Sequence, residues 1–133
     1  MYATRCTPFG KLTVLEVKEG HGGSVKPDVI KTLKNEAADL MDKLPKDALL
    51  IALDEHGSKK STADFAQWLS THADRPLVFV IGGSWGLDQT VLDRADMTLS
   101  LGAMTLPHAL ARIVLLEQIY RAEMINSGRK YHK

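Results

Sequence analysis

The stretch Leu77-Val78-Phe79-Val80-Ile81-Gly82-Gly83-Ser84-Trp85-Gly86 decides the fold. Its first five residues are apolar and largely β-branched or aromatic, the composition of a strand covered on both faces. The glycines end it in a tight turn, and a short helix follows from about Asp88 to Ala95. Upstream, Ala48 to Leu53 reads as a second buried strand. Glu55 to Lys60 reads as a loop, and Ser61 with Asp64 three residues on marks the start of a helix that runs to about His72. Further upstream, Lys11 to Lys18 alternates apolar and polar residues as a strand does. Lys18 to Lys26 is a Gly-rich loop. Val29, Ile30, Leu33, Ala37, Leu40, Met41 and Leu44 then fall at helical spacing, so Pro27 to Leu44 is an amphipathic helix that Pro45 stops. Downstream, Met97 to Leu101 is a short strand and Gly102 to Thr105 a loop. Leu106 or Pro107 opens a long helix that reaches Asn126 or Ser127, where Gly128 ends it.

Buried strands separated by helices define an α/β fold, here one domain over residues 1–133 with a mainly parallel sheet flanked by helices. Ligands of such sheets sit beyond the carboxyl ends of the strands. Those ends are Leu53-Asp54, Gly82-Gly83 and Leu101-Gly102. The final helix carries Leu110, Ile113, Val114, Leu115, Leu116, Ile119 and Tyr120, which cover more than one side. The sheet buries one side, and a second copy of the chain is the expected cover for the other, so a homodimer is predicted.

Composition excludes several classes. The chain is 44% hydrophobic and 25% charged, as a folded domain is. Its longest apolar run, Ala48 to Leu53, is far too short to span a bilayer, and the N-terminus lacks a signal-peptide core, so no membrane partner is expected and the cytoplasm is the expected location. Cys6 is the single cysteine and permits no internal disulfide. His21, His56, His72, His108 and His132 show no zinc spacing, so no metal site is expected. No Gly-Lys-Ser/Thr P-loop occurs, and Gly82-Gly83-x-x-Gly86 lacks the dinucleotide order. A net charge of +1 gives no global field for nucleic acid, so any RNA contact must be local. Lys59-Lys60 and the tail Arg129-Lys130-Tyr131-His132-Lys133 are the candidate patches, although most such residues are simply solvated. The plainer reading of Arg121 is a surface pair with Glu117 four residues back, and that of His108 is a helix-start residue bonding locally.

A longer pattern goes further. Val78-Phe79-Val80-Ile81-Gly82-Gly83, Gly86-Leu87, Leu99-Ser100-Leu101, Met104-Thr105-Leu106-Pro107-His108, Glu117-Gln118-Ile119-Tyr120-Arg121-Ala122 and the terminal Tyr131-His132-Lys133 together resemble the ribosomal RNA large-subunit methyltransferase H family of the SPOUT superfamily, which methylates pseudouridine at N3. The resemblance implies a C-terminal trefoil knot and a homodimer packed through the last helix. It implies S-adenosyl-L-methionine held at Leu53, at Gly83 and along Gly102, Ala103, Met104, Thr105, Leu106 and Pro107, the same strand ends reached above. The implied substrate is a pseudouridine of 23S rRNA in the assembled ribosome. The family begins with a strand and a helix ahead of this match, which sets Met1 to Pro8 at the end of that first helix.

Methyl transfer from a sulfonium to nitrogen is an in-line displacement, and the N3 proton must leave. Arg121 is expected to stabilise charge on the base, and His132 or His108 to relay the proton. Arg121, Tyr131, His132 and Lys133 are the expected substrate contacts. The alternative is a catalytically impaired dimer of this fold that binds ribosome or RNA.

Overall fold

The computed structural model describes residues 2–5, 12–16, 42, 44, 47–82, 87, 89–102 and 104–128. In chain order these form β1 (Tyr2–Arg5), β2 (Leu12–Glu16), β3 (Leu49–Lys59), α1 (Thr62–Thr71), β4 (Leu77–Ile81), α2 (Gln89–Arg94), β5 (Met97–Ser100) and α3 (His108–Asn126). The five strands make one sheet in the order β1-β2-β4-β3-β5. Only β1 runs antiparallel to its neighbour; β2, β4, β3 and β5 are parallel.

Period-two alternation along the central strands divides the core between the two faces of the sheet. Leu49, Ile51, Leu77, Phe79 and Ile81 point to the face covered by α1 and α3, where they meet Phe65, Leu69, Leu115 and Ile119. Leu50, Val78 and Val80 point to the other face, where Val91 of α2 meets them. Every residue of β4 is buried, as the uninterrupted apolar run requires of a central strand. Phe65 and Phe79 lock α1 to the sheet edge-to-face, with ring centroids 6.1 Å apart. At the far end of α3, Asn126 Nδ2 donates to the Ala66 carbonyl at 2.9 Å.

Four sequence readings need correction. Tyr2–Arg5 is not the end of a helix but a strand, with Tyr2 opposite Glu16 and Arg5 opposite Thr13. Tyr and Thr favour extended backbone, and pairing on β2 supplies partners for its backbone groups. Residues 55–60 are not a plain loop either. The strand that starts at Leu49 runs on to Lys59 because Ser58 and Lys59 pair again with Leu99 and Ser100 of β5. Backbone hydrogen bonding fixes this polar segment, and side-chain hydropathy gave no sign of it. Third, α3 starts at His108. Pro107 is its N-cap residue, with an extended ψ of 147°, and its carbonyl accepts from Ala111 N at 2.9 Å. Fourth, β5 ends at Ser100, because Leu101 has already turned away from the sheet.

Other elements match the sequence reading. Ser61 caps α1, its hydroxyl accepting from Asp64 N at 3.1 Å. Gly128 lies just beyond α3 at φ +75°, and its N–H donates to the Ile125 carbonyl. The helix expected over 27–44 and the loop over 18–26 lie outside the described residues, apart from helical Asp42 and a half-buried Leu44 packed on the second core cluster.

Candidate functional site at the carboxyl ends of β4, β3 and β5

Register brings the three strand ends together. β3 lies between β4 and β5, with Ala52 opposite Val80 on one side and Leu53 opposite Leu99 on the other. All three strands are parallel here, so the residues after Ile81, Leu53 and Ser100 leave the sheet at the same end. Beyond Leu53 the chain bulges out over residues 54–57 and returns, so that Ser58 also pairs with Leu99. Gly57 makes the return possible. A Cβ there would lie 2.7 Å from the Thr98 carbonyl carbon and 2.8 Å from Leu99 N, both backbone atoms.

The loop after β5 is built by a local turn. The Ser100 hydroxyl donates to the Gly102 carbonyl at 2.9 Å and accepts from Gly102 N at 3.2 Å. Gly102 sits at φ +140°, a conformation that an L side chain rarely adopts, and open space surrounds the position its Cβ would take. Thr105 Oγ1 then donates to Glu55 Oε2 at 3.2 Å, tying this loop to the bulge of β3. Glu55 also lies 3.4 Å from His56 Nε2, but both side chains are well exposed and such a pair contributes little.

Beside this loop lies a cavity of about 290 Å³. Leu99, Leu101, Phe65, Val114 and Leu115 give it an apolar floor. Its polar lining is Lys59, Lys60, Ser61, Thr62, Ser100 and Gln118, together with Gly102. An apolar floor with a few convergent donors and acceptors suits an organic ligand that has a flat ring and polar edges.

The expected site residues fall as follows. Leu53 is half-buried and packs against the main core, and it is not among the residues that line the cavity. Gly102 lines the cavity; Met104 is 82% exposed, Thr105 and Pro107 are exposed, and Leu106 is half-buried. His108 is the first residue of α3 and half-buried. Arg121 makes the pair that its spacing suggested. Its Nη2 lies 2.6 Å and its Nε 2.9 Å from Glu117 Oε1, with the two side chains 27% and 36% exposed. Gly83, Ala103, Tyr131, His132 and Lys133 lie outside the described residues. The sequence reading named Val114 as apolar helix and Gln118 within a motif but gave neither a place at the site, and it missed the Glu55–Thr105 bond. Gln118 and Val114 are ordinary helix residues, and only the packing of α3 against α1 places them at the cavity.

On the far side of α3, Leu110, Ile113 and Tyr120 are exposed, with Ile113 at 57%. Their spacing of three and seven residues sets them in one stripe along the helix. Among the described residues no helix is long and apolar enough to cross a membrane, and no three His, Cys, Asp or Glu side chains gather as metal ligands would.

Comparison with known proteins gives this geometry its context. A family profile described as "Predicted SPOUT methyltransferase" matches residues 1–132. Proteins named ribosomal RNA large subunit methyltransferase H are similar over nearly the whole chain. That of Gemmatimonas aurantiaca is 42% identical over 134 residues, covering 99% of this chain and 86% of its own length. That of Listeria monocytogenes is 42% identical over 137 residues, with 99% and 86% covered. That of Gluconacetobacter diazotrophicus is 46% identical over 136 residues, with 99% and 84% covered. Among solved structures, the SpoU methyltransferase AviRb of Streptomyces viridochromogenes, determined with AdoMet, aligns at 22% identity and a TM-score of 0.46. That alignment takes in 77% of this chain and 36% of AviRb.

Proposed function

Since this chain belongs to the SPOUT methyltransferase family, we propose that it transfers the methyl group of S-adenosyl-L-methionine to N3 of a pseudouridine in the 23S rRNA of the assembled ribosome. In this reading it works as a single-domain, C-terminally knotted homodimer in the cytoplasm. The observation that carries the reading is the register that sets the ends of β4, β3 and β5 side by side, with Thr105 bonded to Glu55 across two of them.

The residues at these ends fit the cofactor. Gly102 leaves its backbone open to a ligand, and the neighbouring cavity offers an apolar floor for a ring and the hydroxyls of Ser61 and Ser100 for its edges. The backbone of Gly102 to Leu106 would hold the adenine, and the backbones at Leu53 and Gly83 would complete the cradle. When bound, the cofactor supplies an activated methyl group, and the protein's task is alignment. Arg121 would lower the energy of the negative charge that grows on the ring carbonyls as N3 loses its proton. His108 or His132 would take that proton. Tyr131, His132 and Lys133 would meet the RNA by stacking and phosphate contact.

Distance along α3 bears on the dimer. Arg121 lies thirteen positions after His108, which at 1.5 Å per residue is about 20 Å along the axis. Two α3 helices packed antiparallel through the Leu110, Ile113 and Tyr120 stripe would bring Arg121 of one copy beside the cofactor turns of the other. The low net charge suits an enzyme that reads a ribosomal surface by shape and local contacts.

The deciding experiment is mass spectrometry of 23S rRNA from ribosomes that lack the modification, after treatment with the protein and isotope-labelled S-adenosylmethionine. One labelled methyl on the pseudouridine ring is expected. An unmodified base despite saturating cofactor binding would overturn the reading in favour of a non-catalytic ribosome-binding dimer.

A further inference from the structure

Four hydrogen bonds form a chain from the first turn of α1 to Arg121. Thr62 Oγ1 donates to Gln118 Oε1 at 2.7 Å. The Gln118 amide nitrogen donates to Glu117 Oε2 at 2.9 Å. Arg121 donates from Nε at 2.9 Å and from Nη2 at 2.6 Å, both to Glu117 Oε1. Thr62 and Gln118 both line the cavity beside Gly102 and Glu117 and Arg121 do not, so the chain leads from its wall to Arg121.

The chemistry of each link fixes its direction. The Gln118 amide has its donor end on a carboxylate and its acceptor end on a hydroxyl. Flipped, it would set its oxygen against the carboxylate oxygen, so only one orientation is stable. Glu117 is then held on both oxygens, by Gln118 on one and by Arg121 on the other. An isolated i,i+4 pair on a helix surface holds its members weakly and leaves the guanidinium free to swing. A carboxylate held by an amide that is itself anchored to a second helix is not so free, because its plane is set before Arg121 meets it.

We propose that Thr62 and Gln118 are positioning residues for Arg121: through Glu117 they aim its guanidinium at the methyl-accepting base and couple that aim to the wall of the cavity. Neither touches the reacting atoms. This rests on the reading of Arg121 as the group that faces the base. It adds that α1, which carries no expected catalytic residue, sets the catalytic geometry.

The test is a kinetic series on the full-length protein with modification-deficient ribosomes: Thr62→Val, Thr62→Ser, Gln118→Met and Arg121→Ala. Thr62→Val and Gln118→Met should each lower kcat about tenfold with KM for S-adenosylmethionine unchanged. Thr62→Ser, which keeps the hydroxyl, should recover most of the turnover. Melting temperatures show whether each variant folds, and if Thr62→Val does not, Gln118→Met decides. Loss of methylation in Arg121→Ala with wild-type kcat in both Thr62→Val and Gln118→Met would overturn the relay and leave the role of Arg121 standing. A loss confined to cofactor KM would also overturn it, because it would make these residues simple cavity contacts. Wild-type turnover in Arg121→Ala would overturn the reading of Arg121 and the relay with it.

Discussion

The Thr105 hydroxyl donates to the Glu55 carboxylate at 3.2 Å, fastening the loop after β5 to the bulge of β3. Both belong to turns expected to wrap the cofactor, so the bond orders part of the site before a ligand arrives. A hydrogen bond to a charged group contributes about 1.5 kcal/mol at the low end of its range, and exposure reduces that. Thr105→Val should therefore weaken S-adenosylmethionine binding several-fold with little change in melting temperature. Calorimetric titration checks this, and unchanged affinity would show that the loop is ordered by other contacts.

Gly57 lets the bulge lie against the backbone of Thr98 and Leu99. Backbone cannot move aside as a side-chain tip can, so Gly57→Ala must push β3 away from β5. Overpacking of this kind costs about 1–3 kcal/mol. A lower denaturation midpoint is expected, together with weaker cofactor binding, because Glu55 shifts with the bulge. A variant as stable as the parent would mean that the two strands separate there at no cost.

Asp96 holds the start of β5. Its Oδ2 accepts from Leu50 N at 2.8 Å, and its own N–H donates to the Leu50 carbonyl at 2.8 Å. Asp96→Ala strands the Leu50 N–H inside the sheet, and an unmade bond of this kind costs about 1–3 kcal/mol. Amide hydrogen exchange at Leu50 should accelerate along with the loss of stability; protection equal to the wild type would contradict it.

The Leu110, Ile113 and Tyr120 stripe supplies a test of the proposed dimer. Ile113→Glu places a charge in the middle of that stripe, at a position already 57% exposed in the single chain. The monomer should keep its fold, and sedimentation should show a halved mass at micromolar concentration. A dimer that persists unchanged would place the interface elsewhere.

Partial burial raises the pKa of Glu123 above its ordinary value, since leaving water disfavours the carboxylate. The folded state therefore prefers the protonated acid. Its contribution to stability is fully present below the ordinary carboxylate pKa and is lost as pH rises through the raised one. Glu123→Gln should then melt higher than wild type at neutral pH, with the gap closing in acid. A gap that widens in acid would reverse the sign and refute the cause.

The central strands were legible in the sequence because their physics is local. Five apolar residues followed by Gly82 read as a buried strand leaving the sheet, and Ser61 with Asp64 announced the start of α1. The pairing of Arg121 with Glu117 was readable from spacing alone. The continuation of β3 was not, because Ser58 and Lys59 are held by backbone bonds that leave no hydropathy signature. The edge position of Tyr2–Arg5 was hidden for a similar reason: four residues are too few to show a period. Gln118 was invisible as a wall residue because its partner, Thr62, lies 56 positions away, and no local pattern carries that information.

Leu99 pairs with both Leu53 and Ser58, and this double attachment has a consequence for how the molecule can change. In an ordinary ladder, adding one residue slides everything after it and turns the side chains inside out. Here the span over residues 54–57 starts and finishes on the same rung, so its length can be altered while the sheet on either side keeps its alignment. Provided a glycine stays at the return and an acceptor faces Thr105, the rim of the site can thus change in reach without renegotiating the interior that supports it.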